Sequence, residues 1–321
     1  MFFTKKMISM LLILMMAATL LAGCGSPAPA PEPEPEPAPV EEPAEEPEEE
    51  PEEELDAAEV IRRHTVAYFD PITEDRTTWG MISFENALPM IEDNPEAVFV
   101  VDMRGDEDYA NGHLPGAVHI PYGQIGEMMD RLPANRPIYV YCFTGQTSGQ
   151  AVAAMKLLGF NATSIQGGMN FGWAPLELGE DTLETEPNEL PAARDMGWDA
   201  EQEILLDAIK THFSQGTNYI TRPPEVFELM ENNPGAIDII DMRAAEDFAN
   251  GHIETAVNIS FGDLGERMDE ISSIKPVYLA CYSGQTAGQA TLALRLNGLN
   301  IMPLYRGMAG WNGEELPVVT E

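Results

Sequence analysis

The sequence predicts an α/β protein built from two copies of one domain, each with a parallel β-sheet covered by helices on both faces. Three observations predict it. The second half of the chain repeats the first, short apolar runs alternate with longer segments of helical period, and those short runs are apolar at nearly every residue. Strands buried on both faces are typical of parallel sheets between helical layers.

The repeat has a spacing of 139 residues as far as Gly168-Met169, and one deleted residue then aligns Gly172-Trp173 with Gly310-Trp311. Asp102-Met103-Arg104 recurs as Asp241-Met242-Arg243, and the segment from Cys142 to Thr147 recurs from Cys281 to Thr286. A two-fold repeat of this length indicates two globular units, because solenoid repeats are only about 20–50 residues long. We therefore predict domains at 55–182 and 199–321, joined by a linker at 183–198.

Within each copy, the apolar runs predict strands and the three- and four-residue apolar spacings predict helices. An additional helix is predicted before each unit, over Glu59–Phe69 and Asp199–Phe213. Helices are also predicted at Ile125–Leu132 and Ser148–Leu158. The predicted strands are Val98–Val101, Ala117–Ile120, Ile138–Tyr141, Ala162–Ile165, Ile237–Ile240, Ala256–Ile259, Val277–Ala280 and Ile301–Leu304.

The N-terminus predicts export and lipid attachment. Lys5 and Lys6 precede an apolar run from Met7 to Leu21, shorter than the roughly twenty residues that span a bilayer, so a signal peptide at 1–23 is expected. Leu21-Ala22-Gly23-Cys24 resembles the bacterial lipobox, which makes Cys24 the lipid anchor; the alternative is an ordinary signal peptide with an incidental cysteine. The expected location is the outer face of the cytoplasmic membrane or the periplasmic side of an outer membrane.

The composition limits the partners. Residues 24–54 are mostly Pro, Glu and Ala, a composition that stays extended and predicts a disordered tether. The net charge is −37, and without Lys5, Lys6 and the thirteen tether glutamates it is still −26. An acidic surface disfavours nucleic acid and repels small anions, so neutral, cationic or docked partners are expected.

Two of the three cysteines remain after Cys24 is assigned to lipid. Cys142 and Cys281 each follow an apolar strand and precede a glycine-containing loop that leads into a helix. The amides and the dipole of a helix N-terminus favour a thiolate, which is the nucleophilic form, and a glycine loop lets several amides face one anion. The alternative is a small buried hydrophobic residue, which the recurrence at the same turn disfavours.

These motifs, together with Gly-His-Leu-Pro-Gly-Ala at Gly112–Ala117 and Gly-Gly-Met…Gly-Trp at Gly167–Trp173, resemble the rhodanese family. The resemblance covers nearly all of the chain after residue 55. It implies a doubly wound domain with a five-stranded parallel sheet, and sulfurtransferase activity through a persulfide on Cys142 and Cys281. It also implies a sulfane-sulfur donor, such as thiosulfate or a persulfide, and a thiol or cyanide-like acceptor, with no cofactor. The residues matching the family's persulfide cradle are Phe143, Thr144, Gly145, Gln146, Thr147, Tyr282, Ser283, Gly284, Gln285 and Thr286.

Two departures from the family qualify this assignment. Rhodanese loops that handle thiosulfate commonly carry a cation, whereas this chain has Phe143 and Tyr282 after the cysteines, which leaves the donor open. The second copy also replaces Pro115-Gly116 with Glu254-Thr255.

Charged residues at the predicted strand ends form a second candidate group. The pairs Asp102–Arg104 and Asp241–Arg243 are expected to support the site or, as the favoured alternative, to form ion pairs that tie strand ends to loops. No metal site is expected, because no second histidine stands at ligand spacing from His113 or His252 in both copies.

Two other functions compete with sulfur transfer. A cysteine phosphatase loop places arginine six positions after its cysteine, where this chain has Ser148 and Ala287, so phosphate chemistry is disfavoured. A non-catalytic binding or sulfur-sensing module on the same fold remains the alternative, because fold does not determine function.

Overall fold

The computed structural model describes residues 55–70, 79–179 and 182–320. None of the helices in these ranges is long and apolar enough to cross a bilayer. The signal peptide, Cys24 and the tether lie outside the described residues, and the expectations about them remain predictions. The described residues of both repeats belong to one compact unit.

The first repeat contains a five-stranded sheet in which every neighbouring pair is parallel, with the order β1-β5-β4-β2-β3. Its elements in chain order are α1 (Ala57–Phe69), β1 (Met81–Ile82), α2 (Phe84–Asp93), β2 (Phe99–Asp102), α3 (Asp106–Asn111), β3 (Val118–His119), a 3-10 helix (Tyr122–Arg131), β4 (Ile138–Tyr141), α4 (Gln146–Leu157), β5 (Ala162–Ile165), a π-helical turn (Gly168–Trp173) and a 3-10 turn (Ala174–Leu176).

The second repeat contains a four-stranded parallel sheet with the order β7-β6-β8-β9. Its elements are α5 (Ala200–Ser214), α6 (Pro223–Asn232), β6 (Asp238–Asp241), α7 (Ala245–Ala249), β7 (Val257–Asn258), two 3-10 turns (Phe261–Leu264 and Met268–Glu270), β8 (Val277–Ala280), α8 (Gln285–Leu296), β9 (Ile301–Pro303) and α9 (Gly307–Gly313). The α/β class and the two parallel sheets confirm the predicted fold.

The fifth strand predicted for the second repeat is reduced to a single parallel bridge between Thr221 and Leu304. In the first repeat the backbone N–H of Ser164 donates to Gly80 at 2.8 Å, at the start of the β1–β5 pairing. The second repeat has Pro303 at the corresponding position, and proline has no N–H to donate. This missing donor explains why the edge strand does not extend.

Other predicted elements differ in detail. The predicted helix at 125–132 is a 3-10 helix that begins at Tyr122. Strand β2 begins one residue later than predicted and includes Asp102, which the sequence placed just past the strand. The helix predicted at Asp199–Phe213 begins at Ala200, because Asp199 is its N-cap and accepts a hydrogen bond from the Gln202 amide.

The two additional helices are exchanged between the repeats. Helix α5, which precedes the second repeat, buries Leu205, Ile209 and Phe213 in the core of the first. Helix α1, which precedes the first repeat, buries Ile61 in the core of the first repeat and Phe69 in the core of the second, 5.3 Å from the Phe261 ring. The sequence analysis assigned each helix to the unit that follows it. That assignment was wrong for α5, because the order of elements along the chain does not determine which core a helix packs against.

Candidate functional site

Each candidate cysteine lies at the carboxyl end of a fully buried central strand. Cys142 follows β4 and Cys281 follows β8, and their exposed fractions are 3% and 2%. Four residues later in the chain, helices α4 and α8 begin at Gln146 and Gln285. In parallel α/β sheets the carboxyl ends of the strands are the edge that holds ligands. Both thiols therefore lie where this fold class has its sites.

The loop after each cysteine turns an amide onto the sulfur. Gly145 and Gly284 have left-handed φ angles of 84° and 88°, a conformation that glycine adopts without strain. The N–H of Gly145 donates to Cys142 Sγ at 3.2 Å, and the N–H of Gly284 donates to Cys281 Sγ at 3.0 Å. These amides, at the N-terminus of a helix, stabilise a sulfur that carries negative charge.

In each repeat, the segment that follows the last strand of the sheet hydrogen-bonds to the cysteine backbone. The N–H of Met169 donates to the Cys142 carbonyl at 2.9 Å, and the N–H of Met308 donates to the Cys281 carbonyl at 2.8 Å. A Cβ on Gly168 would stand 2.2 Å from that Cys142 carbonyl oxygen, so no larger residue fits there. The Gly-Gly-Met motif thus fixes the position of the cysteine backbone.

The remaining cradle residues differ between the repeats. Phe143 is 39% exposed, whereas the Tyr282 hydroxyl hydrogen-bonds to Asp247 and accepts from the Ala244 N–H at 3.3 Å. Thr144 is half-buried and its counterpart Ser283 is exposed. The residues at the end of the loops, Thr147 and Thr286, are half-buried and buried respectively.

The side chains of the two loop glutamines leave their own repeat. Gln146 Nε2 donates to the Leu304 carbonyl at 3.0 Å, and Gln146 Oε1 accepts from the Arg306 N–H at 2.9 Å. Gln285 Nε2 donates to Ser164 Oγ at 2.6 Å. The sequence grouped each glutamine with the cysteine of its own loop, but the structure connects each side chain to the opposite repeat.

Two serine hydroxyls beside Cys142 were not predicted from the sequence. Ser148 Oγ lies 3.5 Å from Cys142 Sγ, and Ser164 Oγ lies 2.8 Å from Ser148 Oγ; all three side chains are buried. The second repeat has Ala287 and Pro303 at these two positions. The sequence did contain a signal for this pair. Ser164 is a polar residue in a predicted buried strand, and the second repeat lacks both Ser164 and its partner Ser148.

The charged pairs near the strand ends are buried and mutually bonded. Arg104 Nη2 donates to Asp102 Oδ2 at 2.7 Å and to the Gly112 carbonyl at 2.6 Å, and Arg243 repeats both contacts with Asp241 and Gly251. Burial opposes the charged form of Arg104, but the hydrogen bond and the charge of Asp102 outweigh it and raise the Arg104 pKa. Each pair ties the end of its strand to the loop that follows.

Comparison with known proteins identifies the family of both repeats. Residues 84–174 and 223–314, together more than half of the chain, each match the Rhodanese-like domain. The chain belongs to the rhodanese-like family. The resemblance expected from the motifs is thereby confirmed, and both matched regions contain a cysteine loop.

Rhodanese-like relatives with curated names match about one domain's length. The putative sulfur carrier protein YrkF of Bacillus subtilis is 32% identical over 102 residues, which are 32% of this chain and 55% of that protein. The thiosulfate sulfurtransferase GlpE of Pseudomonas entomophila is 34% identical over 100 residues, 31% of this chain and 88% of that protein. The crystal structure of a rhodanese-related protein from Thermoplasma volcanium aligns at 25% identity with a TM-score of 0.30, covering 32% of this chain and 98% of that chain.

The histidines of the two rhodanese-like domains have structural partners. His113 Nδ1 lies 2.9 Å from the Tyr109 carbonyl and His252 Nδ1 lies 2.9 Å from the Phe248 carbonyl, each ring stacked on that same residue. Among the described residues no group of three or more His, Cys, Asp or Glu side chains could hold a metal.

Proposed function

We propose that the protein is an extracytoplasmic sulfurtransferase that carries sulfane sulfur as a persulfide on Cys142 and Cys281. The observation that carries this proposal is the loop amide that points at the sulfur in both domains, at 3.2 Å from Gly145 and 3.0 Å from Gly284. An N–H that points at a buried sulfur stabilises a thiolate or a persulfide anion more than a neutral thiol, because the sulfur of a neutral thiol is only a weak hydrogen-bond acceptor.

The chemistry proceeds by two displacements at sulfur. The cysteine thiolate attacks the sulfane sulfur of the donor, a Cys–S–S bond forms, and the donor leaves with the electron pair of its broken bond to that sulfur. An acceptor nucleophile, a thiol or a cyanide-like anion, then attacks the terminal sulfur. The cysteine departs as a thiolate, so no net oxidation or reduction of the protein remains.

Mass spectrometry tests the persulfide directly. After incubation with a sulfane donor, peptides that contain Cys142 or Cys281 are expected to gain about 32 Da, and a thiol acceptor should remove it. Cys142→Ser and Cys281→Ser should each lower transfer, and the double variant should be inactive. A folded protein that gains no sulfur from thiosulfate, polysulfide or an organic persulfide would instead support a non-catalytic binding or sensing module.

The proposed location rests on the sequence of the first 54 residues. After removal of a signal peptide at 1–23, lipid on Cys24 and a Pro- and Glu-rich tether would hold the two domains beside a membrane without spanning it. Wild-type protein should partition with membranes, and Cys24→Ala should carry no lipid. Lipid on the Cys24→Ala protein would contradict the anchor assignment.

A further inference from the structure

The two cysteine loops meet where the first turns of α4 and α8 pack against each other. A Cβ on Gly149 would stand 2.6 Å from the Gln285 carbonyl oxygen, and a Cβ on Gly288 would stand 2.2 Å from the Gln146 carbonyl oxygen. No side chain fits at either crossing. The close approach lets the glutamine that opens each helix reach across into the opposite domain.

A chain of hydrogen bonds connects Gln285 of the second domain to Cys142 of the first. Gln285 Nε2 lies 2.6 Å from Ser164 Oγ, Ser164 Oγ lies 2.8 Å from Ser148 Oγ, and Ser148 Oγ lies 3.5 Å from Cys142 Sγ. The serines are 0% exposed and Gln285 is 1% exposed, so bulk water does not compete for these bonds.

The amide at the far end gives this chain a direction. An amide NH₂ group only donates, so Ser164 Oγ must accept from Gln285. Ser164 is then polarised to donate its own hydrogen bond to Ser148, because hydrogen bonds in a chain reinforce one another when they run the same way. The neutral Cys142 thiol donates to Ser148 Oγ. When Cys142 is ionised the direction reverses, and Ser148 donates its single proton to the sulfur while its oxygen accepts from Ser164.

Among the described residues of the second domain, no equivalent chain of side-chain hydrogen bonds leads to Cys281. Ala287 and Pro303 replace the two serines, and Gln146 bonds only to backbone groups, the Leu304 carbonyl and the Arg306 N–H. The loop amide of Gly284 donates to Cys281 Sγ, and Ala287 stands at the position that Ser148 has beside Cys142.

We propose that Gln285 of the second domain is a positioning residue for Cys142 of the first, acting through Ser164 and Ser148 to direct a hydroxyl proton at the sulfur. The consequence is an asymmetric pair of sites, in which Cys142 is the more reactive nucleophile and depends on the opposite domain. Its importance for sulfur transfer rests on the function proposed above, but the effect on thiolate reactivity does not.

Site-resolved alkylation of the full chain tests this inference without any sulfur donor. Iodoacetamide labelling at neutral pH, followed by peptide mass spectrometry, gives the rates at Cys142 and Cys281 in the same sample. In Ser164→Ala and in Gln285→Met the Cys142 rate should fall about fivefold, as expected for weakening one charge-assisted hydrogen bond. Ser164→Thr keeps the hydroxyl and should retain the faster rate.

The matched control is Gln146→Met, which removes the mirror-image glutamine where no hydroxyl chain exists. It should leave the ratio of the two alkylation rates close to the wild-type ratio, whereas Gln285→Met shifts that ratio against Cys142. Circular dichroism melting of each variant identifies any that fail to fold, and for those the Ser164→Ala and Ser164→Thr pair provides the comparison.

The outcomes separate this inference from the proposed function. An unchanged Cys142 rate in Ser164→Ala, or an equal loss at both cysteines in Gln285→Met, overturns the positioning role even if persulfides form. Selective loss at Cys142 supports the role even if no donor is found to transfer sulfur, because alkylation requires no sulfur donor.

Discussion

At the scale of single residues, the two domains keep the same buried ion pair. The Nη2–Oδ2 distance is 2.7 Å in both Arg104–Asp102 and Arg243–Asp241, and both aspartates are 0% exposed. A buried pair adds little net stability compared with an apolar pair of the same shape, but removal of one partner leaves an uncompensated charge. The pairs therefore act mainly by fixing the strand ends beside the cysteine loops.

Arg104→Met should consequently destabilise the protein severely. Loss of the guanidinium leaves the Asp102 carboxylate buried without its charged partner, which typically costs about 3–5 kcal/mol. Denaturant unfolding measures the change. The control is Arg62→Met, because the Arg62–Asp269 pair is exposed and should contribute less than about 1 kcal/mol. A loss as small as that of the control would show that Asp102 finds other compensation.

The residue after each cysteine differs in a way that affects the donor. Phe143 is 39% exposed at the loop, so an arginine there can remain solvated. Thiosulfate is a dianion and this acidic protein repels it, so Phe143→Arg in a Cys281→Ser background should raise kcat/KM for thiosulfate. Recovery of about 1.4 kcal/mol corresponds to roughly tenfold. The measurement is steady-state transfer at low salt.

Two comparisons control for indirect effects of the Phe143→Arg change. Added salt should reduce the gain in kcat/KM for thiosulfate, because it screens the charges. With a neutral organic persulfide as the donor, kcat/KM should change far less, because the approach of a neutral molecule does not depend on these charges. If the Cys281→Ser background already uses thiosulfate efficiently and the arginine adds nothing, the backbone cradle suffices.

At the scale of elements, the exchanged helices α1 and α5 decide how the domains are held together. Gly126 and its counterpart Gly265 allow the close approach, since a Cβ would stand 2.9 Å from Lys210 Cα in the first case and 3.0 Å from Val66 Cα in the second. Helix α5 also carries His212, which is 4% exposed and lies 3.3 Å from both the Tyr122 hydroxyl and Gln150 Oε1.

Acid should weaken this contact through His212. Burial lowers the pKa of His212 from its usual 6.5 to about 4. Between these two pH values His212 is largely protonated in the unfolded state and largely neutral in the folded state. The free energy of unfolding therefore falls as the pH drops from about 6.5 towards 4. His212→Gln should reduce this dependence. The measurement is the difference in melting temperature between wild type and variant across that range, since other titrating groups are common to both; identical slopes would contradict the assignment.

At the scale of the whole molecule, the exchange makes the two domains dependent on each other. Full burial of a Leu, Ile or Phe side chain is worth roughly 1.5–3 kcal/mol, and the net stability of a typical protein is only about 5–15 kcal/mol. Helix α5 supplies three such side chains, Leu205, Ile209 and Phe213, to the first domain. Without them the first domain would lose a large part of its stability.

A fragment of residues 55–182 should therefore fail to fold cooperatively on its own, because it lacks α5 and exposes the surface that α5 covers. Addition of a fragment of residues 183–321 should restore protease resistance. Limited proteolysis of each fragment and of the mixture measures this. A fragment 55–182 that unfolds cooperatively alone would show that the exchanged helices are dispensable and that the domains are independent.

The sequence alone determined the α/β class, the two-fold repeat, the rhodanese-like family and the cysteine loops, because these depend on local periodicity and on motifs that each repeat carries by itself. Strands Ile138–Tyr141 and Val277–Ala280, which lead to the cysteines, begin and end as predicted.

Only the tertiary structure decided which groups come together across the repeats. These contacts are the packing of α1 and α5 across the repeats and the reach of Gln146 and Gln285 into the opposite domain. The hydrogen bonds of the two glutamines join residues as much as 160 positions apart. No local sequence pattern predicts such contacts, because they depend on how the two repeats pack against each other. The close approach of α4 and α8 at Gly149 and Gly288 decides that packing.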